Sequence, residues 1–171
     1  MKAYTLGILL GIVVGLILTV VFLKAINKDG KMKTKYDERQ KEARGRAYMY
    51  GFYGIVFTNA LFLILATSYD LAFLGLSLYF IPIIVGIIVQ VTYSVFHDAY
   101  VGLNNNMTRF IVGMTFITAF NLFIGIMAYI HGELFVNGKL QGPFINLLCG
   151  GIFLVLSVEL AIKKLIDAKA E

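Results

Sequence analysis

Of 171 residues, 59% are hydrophobic and only 15% are charged, and the mean hydropathy is +0.82. A water-soluble domain carries charge on about a quarter of its residues, so a soluble globular fold is excluded. The net charge of +5 is gathered in one segment between apolar stretches, so the sequence predicts the lipid bilayer as partner and no nucleic acid, and the single cysteine, Cys149, excludes an intramolecular disulfide and a Cys-based metal site.

Five stretches carry no charged residue: Ala3–Leu23, Ala47–Tyr69, Leu71–Phe96, Phe110–Ile130 and Leu140–Val158. At about 1.5 Å per residue, roughly 20 apolar residues cross a hydrocarbon core. The sequence therefore predicts an all-α polytopic membrane protein of one domain, residues 1–171. Its transmembrane helices are expected near 3–23, 47–69, 71–96, 110–130 and 140–162, with a basic loop over 24–46. The first helix has only Lys2 ahead of it and no small-x-small cleavage site behind it. It reads as a retained helix rather than a cleaved signal. Gly7, Gly11 and Gly15 form a ridge at four-residue spacing, which lets another helix of the chain, or of a second copy, approach closely.

The loop from Lys24 to Arg46 holds nine of the fifteen Lys and Arg residues and four acids. Short loops rich in Lys and Arg stay in the cytoplasm. The N-terminus is then outside and the C-terminus inside, with Arg109, Lys163, Lys164 and Lys169 on the loop's side and Lys2 and Lys139 opposite. Lys31, Lys33, Lys35, Arg39, Lys41, Arg44 and Arg46 read as a topology signal, or as a surface for anionic lipid or an acidic partner. The four interleaved acids favour the first.

Within this loop Thr34 and Asp37 resemble a capping box, so a helix is expected to start near Lys35. Asp37 with Lys41 and Glu42 with Arg46 form acid-first i,i+4 pairs, and Gly45 offers a bend. Ala43, Ala47, Gly51 and Gly54 make a second small-residue ridge, read as helix packing rather than a ligand site. The run Tyr36-Asp37-Glu38-Arg39-Gln40, then Ala43-Arg44-Gly45, Ala47 and Tyr50 to Phe52, resembles a group of uncharacterised small multi-helix membrane proteins of Gram-positive bacteria. The resemblance implies a bacterial cytoplasmic membrane and carries over no activity.

Further along, Pro82 falls mid-segment with Gly86 four residues on, predicting a kink. The uncharged run around it is longer than a straight span needs, which predicts tilt or extension past the interface. Asn59 and Asn121 fall near the middle of their helices, where unpaired amides are costly. Mutual pairing, or a polar path for a solute, would satisfy them. The echo of Asn59-Ala60-Leu61-Phe62 in Asn121-Leu122-Phe123 also allows a weak internal repeat. Glu159 is the acid set deepest in an apolar run, and Gln90, Arg109 and Lys163 share its level, so these four form a candidate inner ion cluster. His97 and His131 fall on opposite sides and cannot share a metal. The glycosylation-like Asn106-Met107-Thr108 faces the cytoplasm and is discounted.

No zinc-protease, nucleophile-elbow or phosphate-loop motif is present. No catalytic residue, cofactor or metal site is expected. Two functions remain. The first is a non-enzymatic accessory or regulatory membrane protein acting by helix packing, with itself or another membrane protein, and through its basic loop. The second is a small oligomeric transporter or channel with a polar path near Asn59 and Asn121.

Overall fold

The computed structural model describes residues 3–170 and is all-helical apart from one small hairpin. Lys2 lies outside the described residues. The long helices are α1 (Ala3–Ile26), α2 (Glu38–Ala66), α3 (Ser77–Phe96), α4 (Met107–Ile130) and α5 (Pro143–Ala170). All five are long and apolar enough to cross a membrane. Their main contacts run in the order α2, α3, α5, α4, α1. Consecutive in the chain, α1 and α2 therefore stand at the two ends of a row.

Helix starts follow local chemistry. The cap of α2 is Asp37, not Thr34: its carboxylate accepts the Gln40 N–H at 2.7 Å, and Gln40 Oε1 accepts the Asp37 N–H at 3.3 Å. This reciprocal box satisfies two backbone donors at once and sets the first turn at Glu38 rather than Lys35. The helix runs unbroken through Gly45. Lys41 pairs one turn back with Glu38 at 2.7 Å, not with Asp37, whose oxygens face the backbone; Arg46 pairs with Glu42 as the spacing predicts.

The third apolar segment is not one helix. Leu71–Leu74 form a short 3-10 turn capped by Asp70, which accepts the Ala72 N–H at 2.8 Å. Gly75 then turns with φ +54°, and a Cβ there would lie 2.5 Å from the Leu140 carbonyl oxygen. Only glycine tolerates both conditions. The surplus length of the segment is thus spent on this turn, and Pro82 falls in the second turn of α3 instead of its middle. Opposite the turn, β1 (Phe135–Val136) and β2 (Lys139–Leu140) pair antiparallel around Asn137-Gly138, both at positive φ. Asn-Gly is the preferred two-residue hairpin turn.

Glycines set the helix spacings. A Cβ on Gly86 of α3 would lie 2.7 Å from the Gly51 oxygen and 2.4 Å from Ile55 of α2. The ridge of Ala47, Gly51 and Gly54 is therefore where α2 meets α3, with Ala47 fully buried. Between α4 and α5 the fit is reciprocal: Leu147 fills the space at Gly125, and Leu122 the space at Gly150. The fully apolar core gathers at one end, around Ile26, Val91, Val95, Phe110, Met114, Leu156 and Leu160.

Replacing Gly86 with Val forces a methyl-bearing carbon into the α2 backbone. Overpacking of this kind costs about 1–3 kcal/mol. Denaturant unfolding in detergent micelles should show that loss for Gly86→Val and none for Gly15→Val, whose Cβ would meet no atom within 4 Å.

Candidate functional site

One end of the bundle carries nearly all the chemistry. There the segment joining α1 to α2 (residues 27–37) lies on the segment joining α3 to α4 (residues 97–106). Three consecutive asparagines hold them, each differently. Asn104 accepts the Lys35 N–H at 2.8 Å and donates to Asp29 and to the Lys33 carbonyl. Asn105, buried, accepts the Gly102 N–H at 2.6 Å and donates to the Asn27 side chain; Asn27, also buried, donates to the Lys31 carbonyl. Asn106 caps α4 by accepting the Arg109 N–H at 3.0 Å. The backbone bonds Lys28 N–H to Asn104 oxygen and Asn106 N–H to Ile26 oxygen, both 2.8 Å, complete the seam. Gly102 leaves room for it, since a Cβ there would lie 2.2 Å from Thr34 and 2.7 Å from the Lys35 oxygen.

The Tyr-Asp-Glu-Arg-Gln motif serves the same seam. Gln40 caps α2 and also donates Nε2 to the Asp98 carbonyl at 2.6 Å. Arg44 donates to the Ala99 carbonyl and to the Tyr36 and Tyr48 hydroxyls, with its guanidinium 4.2 Å from the Tyr36 ring centroid. Arg39 approaches Asp98 at 3.6 Å, while Lys163 of α5 holds that carboxylate at 2.8 Å. The basic loop is thus folded onto its own chain; Lys35 pairs with Asp29 at 3.4 Å, and Lys31 and Lys33 are exposed. The Lys31 N–H is the main cause that draws the Asp29 carboxyl below its ordinary value, with Asn104 and Lys35 adding to it. Burial pushes the Tyr36 hydroxyl up and the Tyr100 hydroxyl to about 12, so both stay neutral in the physiological range.

The four-residue inner ion cluster does not assemble. Glu159 accepts from the Thr92 hydroxyl at 2.7 Å, and its other oxygen is buried without a protein partner. Lys163 turns from it to Asp98 and Asp167, both at 2.8 Å. Those acids lie toward the open end, where an ion pair sheds less hydration. Arg109 donates to the Ala25 carbonyl. Gln90 lines a separate cavity of about 320 Å³ with Tyr36, Arg44 and Tyr100. Nor do Asn59 and Asn121 pair: each donates to the carbonyl one turn back in its own helix, Ile55 and Ile117, at 2.9 Å. Helices α2 and α4 are not neighbours in the row, so the two amides are satisfied locally. His97 and His131 end α3 and α4 at opposite ends of the bundle. Among the described residues no group of three or more His, Cys, Asp or Glu is placed to hold a metal.

A second feature stands apart from the seam. Helix α1 docks through its last turns alone, where Ile26 is buried and Phe22 fills the space at Gly113 and lies 6.0 Å from the Phe110 ring. Leu9 to Leu18 are exposed, and Gly7, Gly11 and Gly15 meet no atom within 4 Å. Among the described residues the ridge has no internal partner. Comparison with protein-family models, curated proteins and solved structures returned no match.

Two outcomes test the seam. Asn105→Ala leaves the Gly102 N–H and the Asn27 side-chain oxygen without their partner, and a buried orphan costs about 1–3 kcal/mol; unfolding in micelles should show at least one such loss. Because the Asp29 pKa is lowered by folding, its contribution is present above its ordinary value of 3.8 and is lost as pH falls through the lower folded value. Protection of the Lys35 amide, its exchange measured against the intrinsic rate at each pH, should therefore fall as pH drops below 3.8 in wild type, and be low already at neutral pH in Asp29→Asn.

Proposed function

We propose that this chain is a non-enzymatic accessory protein of the bacterial cytoplasmic membrane that works by lending α1 to another membrane helix. The observation that carries this reading is the open glycine face of α1. Gly51, Gly86, Gly113, Gly125 and Gly150 each receive a neighbouring helix or ring, while single glycines such as Gly45 and Gly151 do not; among the described residues Gly7, Gly11 and Gly15 form a whole ridge that receives nothing. In lipid, helices associate by close packing at small residues, so a glycine face without a neighbour supports a partner supplied from outside the chain.

The charge distribution supports an orientation. Among the described residues only Lys139 stands at the end away from the seam, while the Lys and Arg residues of 24–46, 109 and 163–169 share the seam end. By the positive-inside rule the seam faces the cytoplasm, the N-terminus is outside and the C-terminus inside. The resemblance of the Tyr36–Gln40 motif supports the bacterial location. The basic loop takes second place as a contact, because most of its donors are engaged within the chain. No observation favours a solute path at Asn59 and Asn121, whose amides bond their own helices.

Site-specific photo-crosslinking from position 14 on α1, in cells, tests the reading. A discrete protein adduct that Gly11→Leu removes is the expected result. Adducts to lipid alone, together with a monomer in lipid-like detergent for both wild type and Gly11→Leu, would sink it.

A further inference from the structure

A groove of about 920 Å³ runs between α2 and α3, walled by Tyr53, Phe57, Val85, Ile88, Val89 and Phe96. Those walls are apolar along almost their whole length. At the seam end the groove opens into a depression of about 350 Å³ lined by Arg39, Glu42, Arg46 and Asp98. Tyr93, Phe96 and His97 wall both spaces, so the two are continuous. The surface thus offers a long apolar slot with a charged mouth.

The dimensions match one leaflet. From Phe96 to Val85 the α3 wall rises about 16 Å at 1.5 Å per residue, half of a hydrocarbon core of about 30 Å. The slot therefore begins at the charged interface and ends near the midplane. An acyl chain entering from that interface has this reach, and a spanning helix of another protein would need twice as much.

The mouth has cationic donors to spare. Asp98 is held by Lys163 at 2.8 Å and only approached by Arg39 at 3.6 Å, and the Arg39 side chain is 69% exposed. Lys163, shared with Asp167, takes the close contact with Asp98, so Arg39 keeps most of its N–H donors. Arg46 uses one nitrogen on Glu42. A guanidinium has five N–H donors and suits phosphate oxygens in a bidentate fork. His97 commits Nδ1 to the Tyr93 carbonyl and stacks on the Tyr93 ring at 3.8 Å, which fixes the wall common to slot and mouth.

We propose that α2 and α3 hold one anionic phospholipid of the leaflet at the seam end, its phosphate at Arg39 and Arg46 and an acyl chain along the groove. The site shares no residue with the exposed face of α1, so it stands or falls independently of the partner proposed for that helix.

Native mass spectrometry of the full chain released from nanodiscs of mixed phosphatidylglycerol and phosphatidylcholine tests it. Wild type should retain one phosphatidylglycerol in preference to phosphatidylcholine. The double variant Arg39→Gln, Arg46→Gln should weaken that retention about 30-fold, the effect of removing two cations near an anionic headgroup. Val85→Phe, which fills the slot and leaves the mouth intact, should also lower it. Arg109→Gln, at the same end but off the groove, should retain lipid as wild type does. Equal retention of the two lipids by wild type, or unchanged preference in the Arg39 and Arg46 variants taken singly or together, would overturn the proposal.

Discussion

Asn105 is the group on which the architecture depends. Helices in lipid gain nothing from hydrophobic burial against one another, because the surrounding chains are equally apolar. What holds them in a defined row is close backbone contact where glycine permits it and polar bonding where the chain leaves the apolar zone. Asn105 lies at the junction: its carbonyl oxygen closes the turn at Gly102 and its amide binds Asn27 at the end of α1. Without this exchange each segment would keep a buried side-chain amide, Asn27 on one and Asn105 on the other, short of a partner. It fastens α1 to the connection that links α3 and α4, and Gln40 and Arg44 fasten α2 to the same connection.

The seam also pairs several of the charges at that end. Asp29, Asp98 and Asp167 each face a lysine of a different part of the chain or of the same helix. Exposed pairs of this kind add little stability individually. These pairs leave a net positive surplus at the seam end, with Arg39 and Arg46 toward α2 and Lys31 and Lys33 at the turn after α1. Selectivity at such a surface comes from position rather than from total charge.

The five apolar helices were legible in the sequence because length and hydropathy dictate them directly. The small-residue ridge of Ala47, Gly51 and Gly54 was legible as packing, though its partner at Gly86 was not, since spacing identifies a close-contact face without saying what meets it. The start of α2 was misplaced by one turn's worth of residues: Thr34 and Asp37 can both cap, and the choice fell to Asp37 because Gln40 answers it. The third segment reads as one helix because it carries no charge, while Asp70 and Gly75 hold the signals for the turn. The hairpin was missed although Asn137-Gly138 announces it. The proposed cluster around Glu159 failed for a geometric reason: residues at one depth need not share one face, and Lys163 found Asp98 on a loop that periodicity does not describe. The run Asn104-Asn105-Asn106 was the available clue to the seam, and its meaning depended on a partner some seventy residues earlier.

That separation has a consequence for biosynthesis. Asn27 and Asn105 are 78 positions apart, and chains are made at about 5–20 residues per second. Asn105, the anchoring partner, is therefore added roughly 4–16 s after Asn27. Through that interval α1 lacks its seam anchor, and its whole surface, not only its glycine face, is open to the bilayer.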